Sequence, residues 1–171
     1  MSTIKIASTV TVPAVNAKNI SDPTAWTKAQ TAVTDSGKKN GLVHFYAYGL
    51  FGSSVILGGK ASEIAESSGA NKSQISKAKS VLEFYVAQVI NEDESGEKIV
   101  SVETCAEALE LAVAEHGALS TAYADLFPSE PKEVSLAKAI ASVVKKALEV
   151  GVSSADLLAL VAVEYDDQDR K

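Results

Sequence analysis

The stretch from Leu42 to Leu57 decides much of what this chain can form, because it is rich in apolar and aromatic residues and contains no Lys, Arg, Asp or Glu. Gly58 and Gly59 follow it. Glycine and serine interrupt it well short of the roughly 18 continuous apolar residues that a membrane-spanning helix needs. We therefore expect a buried helix, weakened at Gly49 and Gly52, around which the other elements pack.

Packing must stabilise the fold, because the sequence lacks the residues for covalent or metal cross-links. Cys105 is the one cysteine, and His44 and His116 are the two histidines, so neither an internal disulfide nor a zinc site with the usual ligand spacing can form. A composition of 46% apolar and 22% charged residues over 171 positions suits one compact domain or two small ones. Residues 1–20 lack the basic start and apolar run of a secretory signal, so we expect a soluble, cytoplasmic protein without membrane contact.

Charge is distributed unevenly along the chain. Residues 1–91 carry nine lysines and five acidic residues, a balance of +4, whereas residues 92–171 carry seven basic and seventeen acidic residues, a balance of −10, which together give −6. We therefore distinguish an N-terminal region, 1–91, from an acidic helical region, 92–171, suited to dimerisation or partner binding. The overall negative charge predicts that any DNA contact is local and salt-sensitive. Acidic side chains that only solvate helix surfaces are the alternative explanation.

The N-terminal segment from Thr3 to Val12 is rich in β-branched residues with partial alternation, which predicts a strand that stops at Pro13. A lone strand needs a partner. We expect a symmetry mate or a second short extended segment to supply it; otherwise the segment is a flexible arm.

Helical spacing of apolar residues covers most of the remaining chain. Asp22 and Pro23 are typical of a helix start, as N-cap and first helical residue, and this helix is expected to end near Asp35. Further helices are predicted at 61–68, 72–90, 102–116, a short segment ending at 127, 134–147 and 153–165, with a loop at 91–98 and a disordered tail at 166–171. The last helix is apolar on nearly all sides, so we expect it in the core or in a homodimer interface.

No catalytic constellation is evident in the sequence. His44 lies among aromatic residues and Cys105 lies on an apolar helix face, so both are best interpreted as core residues. A base, a nucleophile and an orienting group do not occur together. We therefore expect a protein that is not an enzyme and that uses no metal or other cofactor.

Residues 61–80 read A-S-E-I-A-E-S-S-G-A-N-K-S-Q-I-S-K-A-K-S. Ala65 is a small residue suited to a helix crossing, Gly69 can adopt the left-handed turn conformation, and Ile75 can lock a second helix onto the first. The inward set is completed by Ile64, Ala70 and Ala78. The segment resembles the helix-turn-helix of prokaryotic and phage DNA-binding regulators.

This resemblance implies roles for the outward side chains. In that family, residues at the start of the second helix meet base edges in the major groove, which here are Asn71, Lys72, Ser73, Ser76 and Lys77. Lys60 and Lys79 are the implied phosphate contacts. The implied fold is mainly α, with a helix-turn-helix in the N-terminal half, a short N-terminal arm or strand, and an acidic helical C-terminal half.

Two functional hypotheses follow. The first is a small DNA-binding protein, a transcriptional regulator or repressor, that binds double-stranded DNA as a homodimer with half-sites about 34 Å apart. The second is a non-enzymatic, all-helical interaction module, an adaptor or inhibitor, that binds a protein partner through its acidic C-terminal half. An ordinary helix pair joined by a glycine turn is the structural alternative for residues 61–80, because Ala147, Gly151 and Leu157 repeat the same spacing.

Overall fold

The computed structural model describes residues 3–6, 10–37, 40–90, 99–128, 132–153, 155–157 and 159. The predicted loop at 91–98, the end of the predicted last helix and the tail at 166–171 lie outside these residues. The elements in chain order are β1 (Thr3–Ile6), β2 (Val10–Pro13), α1 (Ala17–Ile20), α2 (Pro23–Ser36), α3 (Gly41–Ile56), α4 (Ala61–Ser68), α5 (Lys72–Val89), α6 (Val102–His116), α7 (Leu119–Leu126) and α8 (Lys132–Glu149). The mainly helical fold with an N-terminal strand is confirmed.

The chain divides into two compact units, Met1–Pro128 and Ser129–Lys171. In the first unit, α3 packs against α2, α5 and α6, and α7 packs against α5 and α6. This unit therefore continues past residue 91, where the charge balance of the sequence changes. The second unit contains α8, in which Ile140, Val143 and Leu148 are exposed. The positive φ of Gly151, 80°, follows the end of that helix.

The N-terminal segment forms a hairpin from its own two halves. β1 pairs antiparallel with β2, with Thr3 opposite Pro13 and Ile6 opposite Val10. Ile6 and Val12 are buried on the inner face. The partner that a lone strand requires thus comes from the same stretch of sequence, which was predicted as one strand.

Helix α2 begins and ends as predicted. The Asp22 carboxylate accepts a hydrogen bond from the Thr24 N–H at 2.9 Å, and Pro23 is the first helical residue. Gly37, with φ 63°, ends the helix. Its buried face is made of the small residues Ala25, Ala29 and Ala32.

Helix α3 is the buried centre of the first unit, as the sequence predicts, and it runs unbroken through both glycines. A Cβ atom on Gly52 would lie 2.9 Å from the backbone nitrogen of Lys79, and one on Gly49 would collide with the Leu109 side chain. The two glycines are therefore points of close approach by α5 and α6 rather than weak points of the helix.

A polar network joins α5, α6 and α7. The Tyr85 hydroxyl donates to Glu115 Oε2 at 2.6 Å and lies 2.8 Å from His116 Nε2. On the other side of the ring, His116 Nδ1 lies 3.0 Å from Asp125 Oδ2. Tyr85 is 2% exposed, so the network fixes the relative positions of the three helices from within the unit. Across the described part of the chain, the helices are too short or too polar to span a bilayer.

Candidate nucleic-acid interface

The turn between α4 and α5 has the geometry that residues 61–80 predict. Gly69 has φ 74° and ψ 13°, the left-handed conformation, and its N–H donates to the Ala65 carbonyl at 2.9 Å. No atom lies within 4 Å of the place a Cβ would occupy, so glycine is needed here for its backbone conformation and not for space.

Apolar residues lock the two helices together. Ile64, Ala70, Ile75 and Ala78 are all buried, as predicted. Ser68 closes the turn by donating to the Ile64 carbonyl at 2.6 Å and accepting from the Ala70 N–H at 3.1 Å. The serine hydroxyl thus satisfies backbone groups that the turn would leave unpaired.

The start of α5 is tied to the core through Asn71. The Asn71 side chain accepts from the N–H groups of Ser73 at 2.9 Å and Gln74 at 3.3 Å, so Asn71 is the N-cap of α5. Its own N–H donates to the hydroxyl of the buried Tyr48 at 3.1 Å. The first turn of α5 is therefore oriented by a residue of α3.

His44, which lies on α3 like Tyr48, also belongs to this region. Its ring stacks on Tyr48 with a centroid distance of 4.5 Å. Burial lowers the pKa of His44, while the Gln74 side chain raises it in part. The sequence analysis missed this group, although the four-residue spacing of His44 and Tyr48 on one helix face was a signal for it.

Four of the seven predicted contact residues are exposed at the start of α5: Asn71, Lys72, Ser73 and Ser76. Ser76 donates its hydroxyl to the Lys72 carbonyl at 3.1 Å. Within the described residues, Lys72 forms no ion pair. Its ammonium group is therefore available to an anionic ligand.

The other three predicted residues have partners. Lys77 is half-buried, with Nζ 5.1 Å from the centroid of the Tyr123 ring. Lys60 pairs with Glu63 at 2.8 Å, and Lys79 pairs with Glu83 at 2.6 Å. Neither implied phosphate contact is thus an isolated cation.

Other reactive groups in the described residues do not form a site. Cys105 is fully buried, and burial raises the pKa of its thiol to about 11. Among the residues with described side chains, no three His, Cys, Asp or Glu lie close enough together to hold a metal ion.

Comparison with protein-family models, curated proteins and solved structures gives no match to this chain.

Proposed function

We propose that this protein binds double-stranded DNA through residues 61–80 and acts, without catalysis, as a transcriptional regulator or repressor by occupying its site. The observation that carries the proposal is that the start of α5 has one buried side and one exposed side. Ile75 and Ala78 are buried and hold the helix, while Lys72, Ser73 and Ser76 are exposed on the other side. A helix held in this way, with its N-terminal residues outward, suits insertion into the major groove.

The exposed residues divide between two kinds of contact. Lys72 can bind a phosphate or a guanine edge, and Ser73 can donate its hydroxyl to either. The side-chain oxygen of Asn71 already caps α5, so its amide N–H groups are the donors that can reach a base or a phosphate. The cation–π contact of Lys77 is worth about 0.5–1 kcal/mol, so an approaching phosphate can displace it.

The ion pairs of Lys60 and Lys79 reduce their contribution to binding. Exposed ion pairs are weak, so each lysine can exchange its carboxylate for a phosphate at low cost. The displaced Glu63 and Glu83 would nevertheless remain close to the phosphates. Lys72 therefore provides the strongest single contact of α5 in this proposal.

A homodimer belongs to the same proposal, and α8 supports it. Ile140, Val143, Val144 and Leu148 recur at helical spacing, and each is more than a third exposed. An exposed apolar stripe of this kind is typical of a helix that packs against a partner helix. Sedimentation equilibrium should give a dimer for the wild-type chain and a monomer for Leu148→Lys. A monomeric wild-type protein would contradict this part of the proposal.

Matched lysine neutralisations test DNA binding. We expect Lys72→Ala to reduce the salt dependence of binding to a labelled duplex by about one phosphate contact per protomer. Lys145→Ala removes the same charge from an exposed position on α8 and should leave the salt dependence of binding unchanged. Circular dichroism checks that both variants are folded. Equal slopes for the two variants would contradict the proposal, and absence of wild-type binding would instead favour the protein-interaction hypothesis.

A further inference from the structure

A groove of about 550 Å³ lies between the hairpin and α2, and the α4–α5 helix pair does not use it. Its walls are rich in threonine, with Thr3 and Thr11 from the hairpin and Thr24, Thr27 and Thr31 from α2. A smaller cavity of about 190 Å³ shares Thr3, Thr24 and Lys28 with the groove and adds Lys18. The two cavities adjoin each other, because they share Thr3, Pro13, Thr24 and Lys28.

The α2 wall of the groove carries exposed polar side chains. Thr24, Thr27, Lys28 and Thr31 are exposed, and the buried Ala32 also lines the groove. Thr27 and Thr31 donate their hydroxyls to carbonyls one turn earlier. Within the described residues, the side-chain hydroxyls of Thr3, Thr11 and Thr24 have no hydrogen-bond partner. These three hydroxyls remain free to donate to a ligand.

The charges of the groove favour an anion at one end. Among the described residues, Lys18 and Lys28 make no ion pair, and both border the smaller cavity. Asp22 also borders it, but one of its oxygens caps α2. Asp35 lines the larger groove and is exposed. Two ammonium groups beside free hydroxyl donors are the groups that proteins commonly use to bind phosphate.

The groove adjoins the proposed DNA-binding segment. The Thr27 hydroxyl lies 3.3 Å from the carbonyl oxygen of Ser67, which is in the last turn of α4. Gly69 follows two residues later, and the exposed start of α5 comes after it. The α2 wall of the groove therefore contacts the helix that precedes the exposed start of α5.

We infer that this groove binds a phosphodiester strand of the same DNA, with Lys18 and Lys28 contacting phosphates and Thr24 donating a hydrogen bond to one. This inference rests on the proposed function. The groove would carry no base information and would instead position the duplex relative to α5. The groove supplies the unpaired lysines Lys18 and Lys28, whereas Lys60 and Lys79 near α5 are engaged in ion pairs.

Four variants and one control test the inference on the full chain. Lys18→Ala and Lys28→Ala should each reduce the salt slope of binding to random-sequence duplex by about one phosphate contact per protomer. Thr24→Val should weaken binding several-fold without changing that slope. Asp35→Asn should strengthen binding, because it removes a carboxylate from the groove. Lys146→Ala, at an exposed position on α8, serves as the control and should change neither the salt slope nor the affinity.

The outcomes separate the two proposals. If Lys72→Ala lowers the slope and both groove lysine variants match the control, the inference is overturned while the proposed function stands. If the wild-type chain does not bind DNA, both are overturned. A titration with inorganic phosphate identifies the source of the ligand. Resonances of Lys28 that respond to free phosphate, together with unchanged duplex binding in Lys28→Ala, would overturn DNA as the occupant.

Discussion

The backbone N–H of Asn71 donates a hydrogen bond to the hydroxyl of Tyr48 at a distance of 3.1 Å. Tyr48 is 3% exposed and belongs to the buried helix α3, whereas Asn71 is exposed at the start of α5. The orientation of the candidate interface therefore depends on a residue of the core.

Tyr48→Phe removes the acceptor of this bond and keeps the aromatic ring. We expect the free energy of unfolding to fall by about 1 kcal/mol, because a partly buried N–H loses its partner. Urea denaturation measures the change. Tyr46→Phe is the matched control, since the Tyr46 hydroxyl bonds Glu110 at an exposed position and its loss should cost less. A larger effect at Tyr46 would contradict the role given to Tyr48.

Two substitutions at Asn71 separate stability from binding. Asn71→Ala removes the cap of α5 and should cost about 1 kcal/mol of unfolding free energy. Asn71→Asp retains a capping oxygen and should keep the stability, but it places a negative charge at the proposed DNA contact and should weaken DNA binding. Thermal unfolding and fluorescence anisotropy give the two quantities. Unchanged DNA affinity in a folded Asn71→Asp variant would contradict the location of the interface.

The turn at Gly69 depends on a backbone conformation that other residues rarely adopt. Gly69→Ala should destabilise the protein by about 1 kcal/mol through strain at φ 74° alone, since a Cβ would meet open space. Gly69→Asn should cost less, because asparagine tolerates this conformation better. Denaturant titration compares the two variants, and equal losses would contradict the explanation by backbone strain.

Local signals in the sequence predicted the helices and the turn. Asp22, Asn71 and Gly69 act on backbone groups within a few residues of themselves, so their roles can be inferred without knowing the fold. The ion pairs of Lys60 and Lys79 have the same local character, since their partners are three and four residues away. The sequence analysis assigned both lysines to phosphates, although each has a carboxylate within one helical turn.

Contacts between distant segments could not be predicted in this way. The spacing of apolar residues places Lys77 and Tyr123 on their helices, but it does not say that α7 packs where the two side chains meet. The same holds for the approach of α5 to Gly52, which the sequence suggested only as a weak point of α3. Tertiary packing decides both contacts, and one sequence carries no direct signal for either.

The free energy of unfolding should decrease as the pH falls below about 6.5, in part because of His44. Burial lowers the pKa of His44 in the folded protein from its ordinary value of 6.5. The unfolded chain therefore takes up a proton at a higher pH than the folded chain does, and acid favours the unfolded state. His44→Gln should reduce the loss of stability between about pH 7.5 and about pH 5.5 in urea titrations. An unchanged pH dependence would contradict the burial argument.

Binding of the wild-type protein to random-sequence duplex DNA over a range of salt concentrations tests the central claim most directly. Phosphate contacts by Lys72, Lys18 and Lys28 predict that log K falls with log salt concentration at a slope of about −3 for each bound protomer. Absence of binding at the lowest salt concentration, or an affinity that does not change with salt, would contradict the account.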